Sequence, residues 1–241
     1  MTTTSVPRPT RLRAGWDVGL GLLVFGLYLI VAEIVDHRLA AAGRNAVDVL
    51  DLERLLHLDV ERAVNAWTVR QPGWLSTVAD YHYAIGYLVT TFVTVLWLRL
   101  RRPSSYARHA LAFLGLNVAA ITVFALYPVT PPRLLHGHGF VDTVEVHDTV
   151  GSWGTGLVSM IANQHAAMPS LHVAWAVWVA YALLAEGAPR WLARSGVLHI
   201  GTTTAVIVMT GNHWVLDAVA GAVLAVLVVP ALLRLLSRSG R

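Results

Sequence analysis

The chain has 241 residues, 56% of them hydrophobic and 13% charged, about half the roughly 25% charge that a water-soluble domain needs to solvate its surface. With a mean hydropathy of +0.58, the composition excludes an ordinary soluble domain and calls for a bilayer as solvent. Having no cysteine, the chain cannot form disulfides, thiolate metal sites or a Cys nucleophile, and because all 18 positive charges are Arg, Schiff-base and Walker-type lysine chemistry is excluded as well.

A hydrocarbon core about 30 Å thick needs about 20 mostly apolar residues per helix. The first such run extends from Ala14 to Val35. Basic residues precede it as in a signal peptide, but the run is too long and no small-residue cleavage site follows, so a retained anchor is expected. Between Asn45 and Val69, Val49, Leu52, Leu55, Leu56, Val60, Val64 and Trp67 recur at helical spacing with acids and Arg between them. That pattern predicts an amphipathic helix lying in the membrane interface, acting as a lid or packing element. Further spans follow from about Leu75 to Leu100, Ala110 to Pro128, Pro169 to Ala185, Trp191 to Thr210 and His213 to Leu236. No internal repeat or interdomain linker interrupts them. The expectation is one all-α, polytopic membrane domain over residues 1–241, a six-helix bundle with an interfacial helix between spans one and two.

Arg placement orients the bundle, since short cytoplasmic loops carry the excess positive charge. With both termini inside, Arg8, Arg11, Arg13, Arg99, Arg101, Arg102, Arg108, Arg190, Arg194, Arg234, Arg238 and Arg241 are all cytoplasmic. The other six are Arg133 and five that alternate with acids between Arg38 and Arg70. This distribution accounts for a pI near 9.8 without a nucleic-acid partner.

Polar groups inside a membrane face a cavity or a bundle interior. Two motifs at helix starts, Met168-Pro169-Ser170-Leu171-His172 and Gly211-Asn212-His213-Trp214-Val215-Leu216-Asp217, are separated by one full span. They therefore return to one membrane face, here the extracytoplasmic one, together with the turn Tyr127 to Arg133 and the loop 134–168. Pro169 suits a first helical position, and Ser170 with the first-turn N–H groups forms an anion site of the kind phosphate occupies. Asn212 suits an N-cap. His213 and Asp217, four apart, share a helix face, so the carboxylate can fix the imidazole tautomer and leave the other nitrogen free to react. Arg133, the only Arg in the long outer loop, has the planar fork that fits a phosphoryl group.

This set resembles the phosphatidic acid phosphatase type 2 superfamily. Its pattern is Lys, six residues, Arg-Pro; then Pro-Ser-Gly-His; then Ser-Arg, five residues, His, three residues, Asp. Pro169-Ser170-Leu171-His172 matches the second motif with Leu for Gly, and His213 and Asp217 match the third, whose Ser-Arg positions hold Val206 and Ile207. With Arg133 as the first-motif Arg, Leu126 and Leu134 stand at the Lys and Pro positions; the literal Arg102-Pro103 falls on the cytoplasmic side. The Pro-Pro-Arg turn and the His-Trp pair before the last Asp look most like the inositol-phosphorylceramide-synthase-like branch. The resemblance implies a membrane lipid phosphatase or phosphotransferase that needs no metal or other cofactor. In it His213 attacks phosphorus to form a phosphohistidine, Asp217 holds its ring, and His172 protonates the leaving oxygen. Arg133, Ser170 and the first-turn N–H groups, including that of Leu171, would bind the phosphoryl oxygens. The implied partners are a lipid phosphate ester and water or an alcohol acceptor.

Gln164, His165 and Tyr127, with Asn212, are further candidates to line the pocket. Asp80, Tyr81, His82 and Tyr83 near the outer end of the second span read as polar packing or an acceptor site. His199 and Thr202 to Thr204 read as a mid-span polar cluster. His136, His138 and His147, with Asp142, Glu145 and Asp148, read better as exposed loop residues than as a metal site. Two other classes fit the same residues: a metal-dependent membrane hydrolase with His172, His213 and Asp217 as ligands, and a transporter that only binds the phosphate.

Overall fold

The computed structural model describes residues 14–147, 149 and 165–238. Helix α1 (Ala14–Asp36) leads into α2 (Leu39–Leu55) and α3 (Glu61–Arg70). Helix α4 (Gly73–Tyr81), a π-turn (His82–Gly86) and α5 (Tyr87–Arg101) then run as one rod. Helix α6 (Pro103–Leu126) is followed by a 3-10 turn at Pro132–Leu134 and the short α7 (Thr143–His147). Helices α8 (Leu171–Ala185), α9 (Arg190–Met209) and α10 (Val215–Arg238) complete the described chain.

Helix α8 is the axis of the bundle, packed against α5, α6, α9 and α10. Below its first turn it is apolar on every side, the mark of a helix enclosed by others. Its Ala174, Trp178, Val179, Ala182 and Leu183 meet Leu98 of α5, Ala112 and Leu116 of α6, and Ala225 and Val229 of α10. Alanines at these crossings let backbones approach closely, which is how helices gain contact where lipid already satisfies apolar surface. Gly221 marks the tightest approach: a Cβ there would overlap the Ser170 carbonyl oxygen at the head of α8.

Among the described residues, four helices are long and apolar enough to cross a membrane: Gly73–Arg101, Pro103–Leu126, Arg190–Met209 and Val215–Arg238. Gly21–Val35 and α8 are apolar but shorter. Large exposed apolar side chains, among them Phe92, Leu198 and Leu227, cover the outside of the rods. The basic ends gather together: Arg102 at the head of α6 donates to the Glu186 carbonyl at the foot of α8 (2.8 Å), and His109 meets the Glu186 carboxylate at 2.9 Å. The motif residues lie at the opposite ends of these helices.

The structure departs from the expected elements in three places. The predicted interfacial helix is two helices, because His57 adopts a left-handed conformation (φ 56°) and the Leu58 N–H turns back to the Glu53 carbonyl. Helix α6 begins at Pro103 rather than Ala110, because the helix continues past its apolar stretch to a proline suited to the first turn. Helix α8 begins at Leu171, with Ser170 as its N-cap and Pro169 outside, after a cis Met168–Pro169 peptide.

Candidate active site

His213 is 4% exposed and its Nδ1 lies 2.9 Å from the Ala167 carbonyl and 3.3 Å from Asp217 Oδ2. A carbonyl only accepts, so Nδ1 carries the proton and the lone pair of the neutral ring sits on Nε2. Asp217, fully buried, also accepts the Trp214 N–H through Oδ2 at 2.9 Å, which fixes the carboxylate against the start of its own helix. The loop that supplies Ala167 is itself anchored, since the Ala167 N–H donates to the Val129 carbonyl (3.0 Å) and the Ser170 N–H to the Asp217 carbonyl (2.9 Å). The two motifs are thus joined through the main chain.

His172, in the first turn of α8, faces His213 with ring centroids 5.5 Å apart at 65°. The ring also lies beside the Tyr83 backbone carbonyl, an acceptor for a ring N–H. Two tyrosines from the neighbouring rod hold the ring: Tyr83 stacks on it at 4.3 Å and 21°, and Tyr87 tilts against it at 4.2 Å. Tyr83 also lies 6.3 Å from the His213 ring. The π-turn at His82–Gly86 separates α4 from α5 at this point. Such turns, one extra residue in a helix, recur at functional sites.

Arg133 is 8% exposed, with Nε donating to Asn212 Oδ1 (2.8 Å) and Nη1 to Asp142 Oδ2 (2.8 Å). Its N–H also donates to the Gly211 carbonyl at 2.9 Å, tying the 3-10 turn to the residue before His213. Asn212 is therefore not the helix cap expected of it: its amide bridges Arg133 to the Thr210 hydroxyl. Arg102, the alternative arginine, sits at the far end of the bundle. Ser170 is fully buried, and its hydroxyl accepts the Val173 N–H at 3.5 Å. Leu171 packs against Val31, Val35 and Phe124 and occupies the first helical position, whose N–H has no acceptor inside the helix. His165 Nδ1 is 3.3 Å from the Thr130 hydroxyl, Tyr127 is exposed at the end of α6, and Gln164 lies outside the described residues.

Asp80 proves to be a packing residue. It is 1% exposed and accepts from Thr143 (2.6 Å) and Thr149 (2.5 Å), pinning the outer loop to α4. His199 meets Thr90 of α5 at 2.9 Å and Thr203 at 3.4 Å, whereas Thr202 and Thr204 bond only to their own helix backbone. Among the described residues no three His, Asp or Glu side chains converge with metal-ligand spacing; Asp148 is outside them.

Sequence reasoning passed over Tyr87, Glu53 and Glu61. Glu53 Oε1 accepts the Leu216 N–H at 2.7 Å and Glu61 Oε1 the Val215 N–H at 2.6 Å. With Asp217 on Trp214, three consecutive N–H groups at the head of α10 are each taken by a carboxyl. Burial first, then the neighbouring Glu61 carboxyl, pushes the Glu53 carboxyl up to about 9.

The PAP2 superfamily sequence model matches residues 47–231, from the middle of α2 nearly to the end of α10. A phosphoinositol dihydroceramide synthase from Bacteroides thetaiotaomicron is 28% identical over 162 residues, which cover 60% of this chain and 52% of that protein. The match thus spans about half the length of that relative. No solved structure matches the chain significantly.

Proposed function

The chain belongs to the PAP2 superfamily, and from that membership and the paired imidazoles we propose an integral membrane phosphotransferase or phosphatase acting on a lipid-linked phosphate ester. The observation that carries the reading is the His172–His213 pair, with rings 5.5 Å apart and His213 Nδ1 committed to Ala167 and Asp217. Nε2 of His213 then forms a bond to phosphorus as the bond to the leaving oxygen breaks, and His172 gives that oxygen its proton. In the second half, the acceptor O–H attacks phosphorus, the N–P bond returns its electron pair to Nε2, and His172 takes the acceptor's proton. Phosphoryl transfer asks mainly for positioning and for charge stabilisation of the equatorial oxygens. In this reading Ser170, the Leu171 and His172 N–H groups, Asn212 and Arg133 serve that task, and the scheme calls on no metal.

The donor fits a phosphodiester better than a dianionic monoester. Arg133 is already paired with Asp142, and Val206 and Ile207 stand where the family pattern has Ser-Arg. A singly charged group asks for less positive charge than this site has given up. The name of the Bacteroides thetaiotaomicron relative agrees with transfer to an alcohol. In the full proposal α1 and α8 also span, giving six spans in one domain. α2 and α3 lie near the interface, both termini are cytoplasmic, and the site opens on the extracytoplasmic face of the cell membrane.

The test is turnover by purified protein in detergent with EDTA, across a panel of phospholipids and polyprenyl phosphates with and without alcohol acceptors. Product mass separates hydrolysis from transfer. Wild-type turnover that survives EDTA and disappears in His213→Ala and His172→Ala is the expected result. Turnover abolished by EDTA and restored by zinc would overturn the mechanism.

A further inference from the structure

Glu53 and Glu61 are 0% and 1% exposed, yet neither meets a basic side chain among the contacts the structure records for them. Each uses Oε1 to accept a backbone N–H at the head of α10, and each has Oε2 buried with no donor from any other group. Because they accept from the N–H groups of two successive residues, the two carboxyls stand side by side, and the Glu61 carboxyl pushes that of Glu53 up. Two carboxylate oxygens can share a hydrogen bond only if a proton lies between them, and two adjacent buried anions would otherwise repel at high cost. Besides Glu61, the charged group recorded against Glu53 is Asp217 of α10. Asp217 adds a third negative neighbour and so favours the shared proton further.

The break at His57 gives this arrangement its purpose. On a continuous helix, residues eight apart would stand about 12 Å apart along the axis. Here they reach the adjacent N–H groups of Val215 and Leu216, which immediately follow the His213-Trp214 pair and precede Asp217. We infer that Glu53 and Glu61 are positioning residues for the nucleophile: a carboxyl pair holding one proton between them that clamps the first turn of α10 and thereby sets His213 against Asp217. The inference rests on the reading of His213 as the nucleophile. Neither glutamate touches the reacting atoms; they act through the backbone of the turn.

Glutamine substitutions separate a shared proton from two ionised acids. One Gln keeps the oxygen that accepts from the backbone and offers an N–H where the proton stood. Glu53→Gln or Glu61→Gln is therefore a matched pair of unchanged net charge. In the double variant two NH2 groups face each other and both donate. The experiment uses the full chain in detergent, comparing both single variants, the double, Glu53→Ala and His213→Ala. Readouts are kcat and KM on whichever panel lipid turns over, and thermal melting followed by tryptophan fluorescence from pH 6 to 10. Each single variant is expected to keep kcat within about twofold. The double and Glu53→Ala should lose on the order of tenfold or more in kcat with KM little changed, as misplacement of a reacting group does. Wild-type melting temperature should fall as pH rises from 6 to about 9 and level off above that, because over this window the folded state holds a proton that the unfolded chain has already released. Glu53→Gln, with no proton to lose, should stay flat.

Single variants as damaged as the double, or a double with wild-type kcat and melting, would overturn the clamp. Parallel pH–melting curves for wild type and Glu53→Gln would overturn the shared proton even without a working substrate. His213→Ala that still turns over would overturn the reading of the site and the clamp together. An inactive His213→Ala beside a wild-type double would overturn the clamp alone.

Discussion

Replacing Gly221 by alanine tests whether the crossing of α8 over α10 sets the distance between the two imidazoles. The added Cβ would overlap the Ser170 carbonyl oxygen and lie 3.1 Å from its carbonyl carbon and 3.3 Å from its nitrogen, all backbone atoms at a helix head. An ordinary contact needs about 3.5 Å, so the head of α8 must retreat by about 1 Å. Overpacking of this kind costs ~1–3 kcal/mol of stability. Because Ser170 precedes His172 by two residues and α10 carries Asp217, the same retreat parts the rings that now stand 5.5 Å apart. Misplacement of reacting groups by about 1 Å costs on the order of a hundredfold in rate. Two glycines serve as controls. A Cβ on Gly115 meets only the flexible end of Leu232, and one on Gly201 meets nothing within 4 Å. Gly201→Ala should gain up to about 1 kcal/mol from helix propensity, and Gly115→Ala should keep its rate. Turnover of the three variants at matched folded fraction is the assay. Gly221→Ala at the wild-type rate would refute the argument that this crossing sets the catalytic distance.

Tyr83→Leu removes the ring stacked on His172 and should lower kcat about three- to tenfold, the equivalent of a ~0.5–1.5 kcal/mol aromatic contact, while Tyr83→Phe keeps it; equal losses would argue against the stack. Arg133→Lys gives up a fork that joins Asn212 to Asp142 and should cost about ten- to a hundredfold in kcat/KM, since charge-assisted bonds are each worth ~1.5–3 kcal/mol. Asp80→Ala strands the Thr143 and Thr149 hydroxyls. It should cost ~1–3 kcal/mol, read as a lower melting temperature and faster proteolysis of the outer loop, with Asp80→Asn milder.

The apolar rods were legible from the sequence because a bilayer demands long runs of apolar residues, and such runs are hard to mistake. Their ends were less so: α6 reaches back to Pro103 through Ser, Tyr, Arg and His that hydropathy alone would leave in a loop. The pairing of His172 with His213 was legible because one intervening span returns the chain to the same face. The break at His57 left no signal, since neither Gly nor Pro marks it, and the turn is closed by backbone bonds from His57 to Arg54 and from Leu58 to Glu53 that no residue type announces. Read through that break as one helix, Glu53 and Glu61 are only two of the acids that alternate with Arg between its apolar positions. Asn212 has the right residue type for a cap, but Arg133 and Thr210 compete for its amide, and distant carboxyls take the N–H groups instead. The stacking of Tyr83 and Tyr87 on His172 depends on how two separate rods face each other, which no local pattern records.

The partner that selects the tautomer of His213 at the shorter distance is a main-chain oxygen, that of Ala167. No side-chain substitution at position 167 deletes a carbonyl, so this half of the control is protected from point mutation in a way that Asp217 is not. Loss of the Asp217 charge therefore leaves Nδ1 still held and Nε2 still bearing its lone pair, and the activity of Asp217→Asn should stand above that of His213→Ala. What would unseat the nucleophile is a shift of the 165–170 segment as a body. The peptide of Ala167, bonded to Val129 on one side and His213 on the other, makes the proton inventory of the site a property of chain path as well as of residue choice.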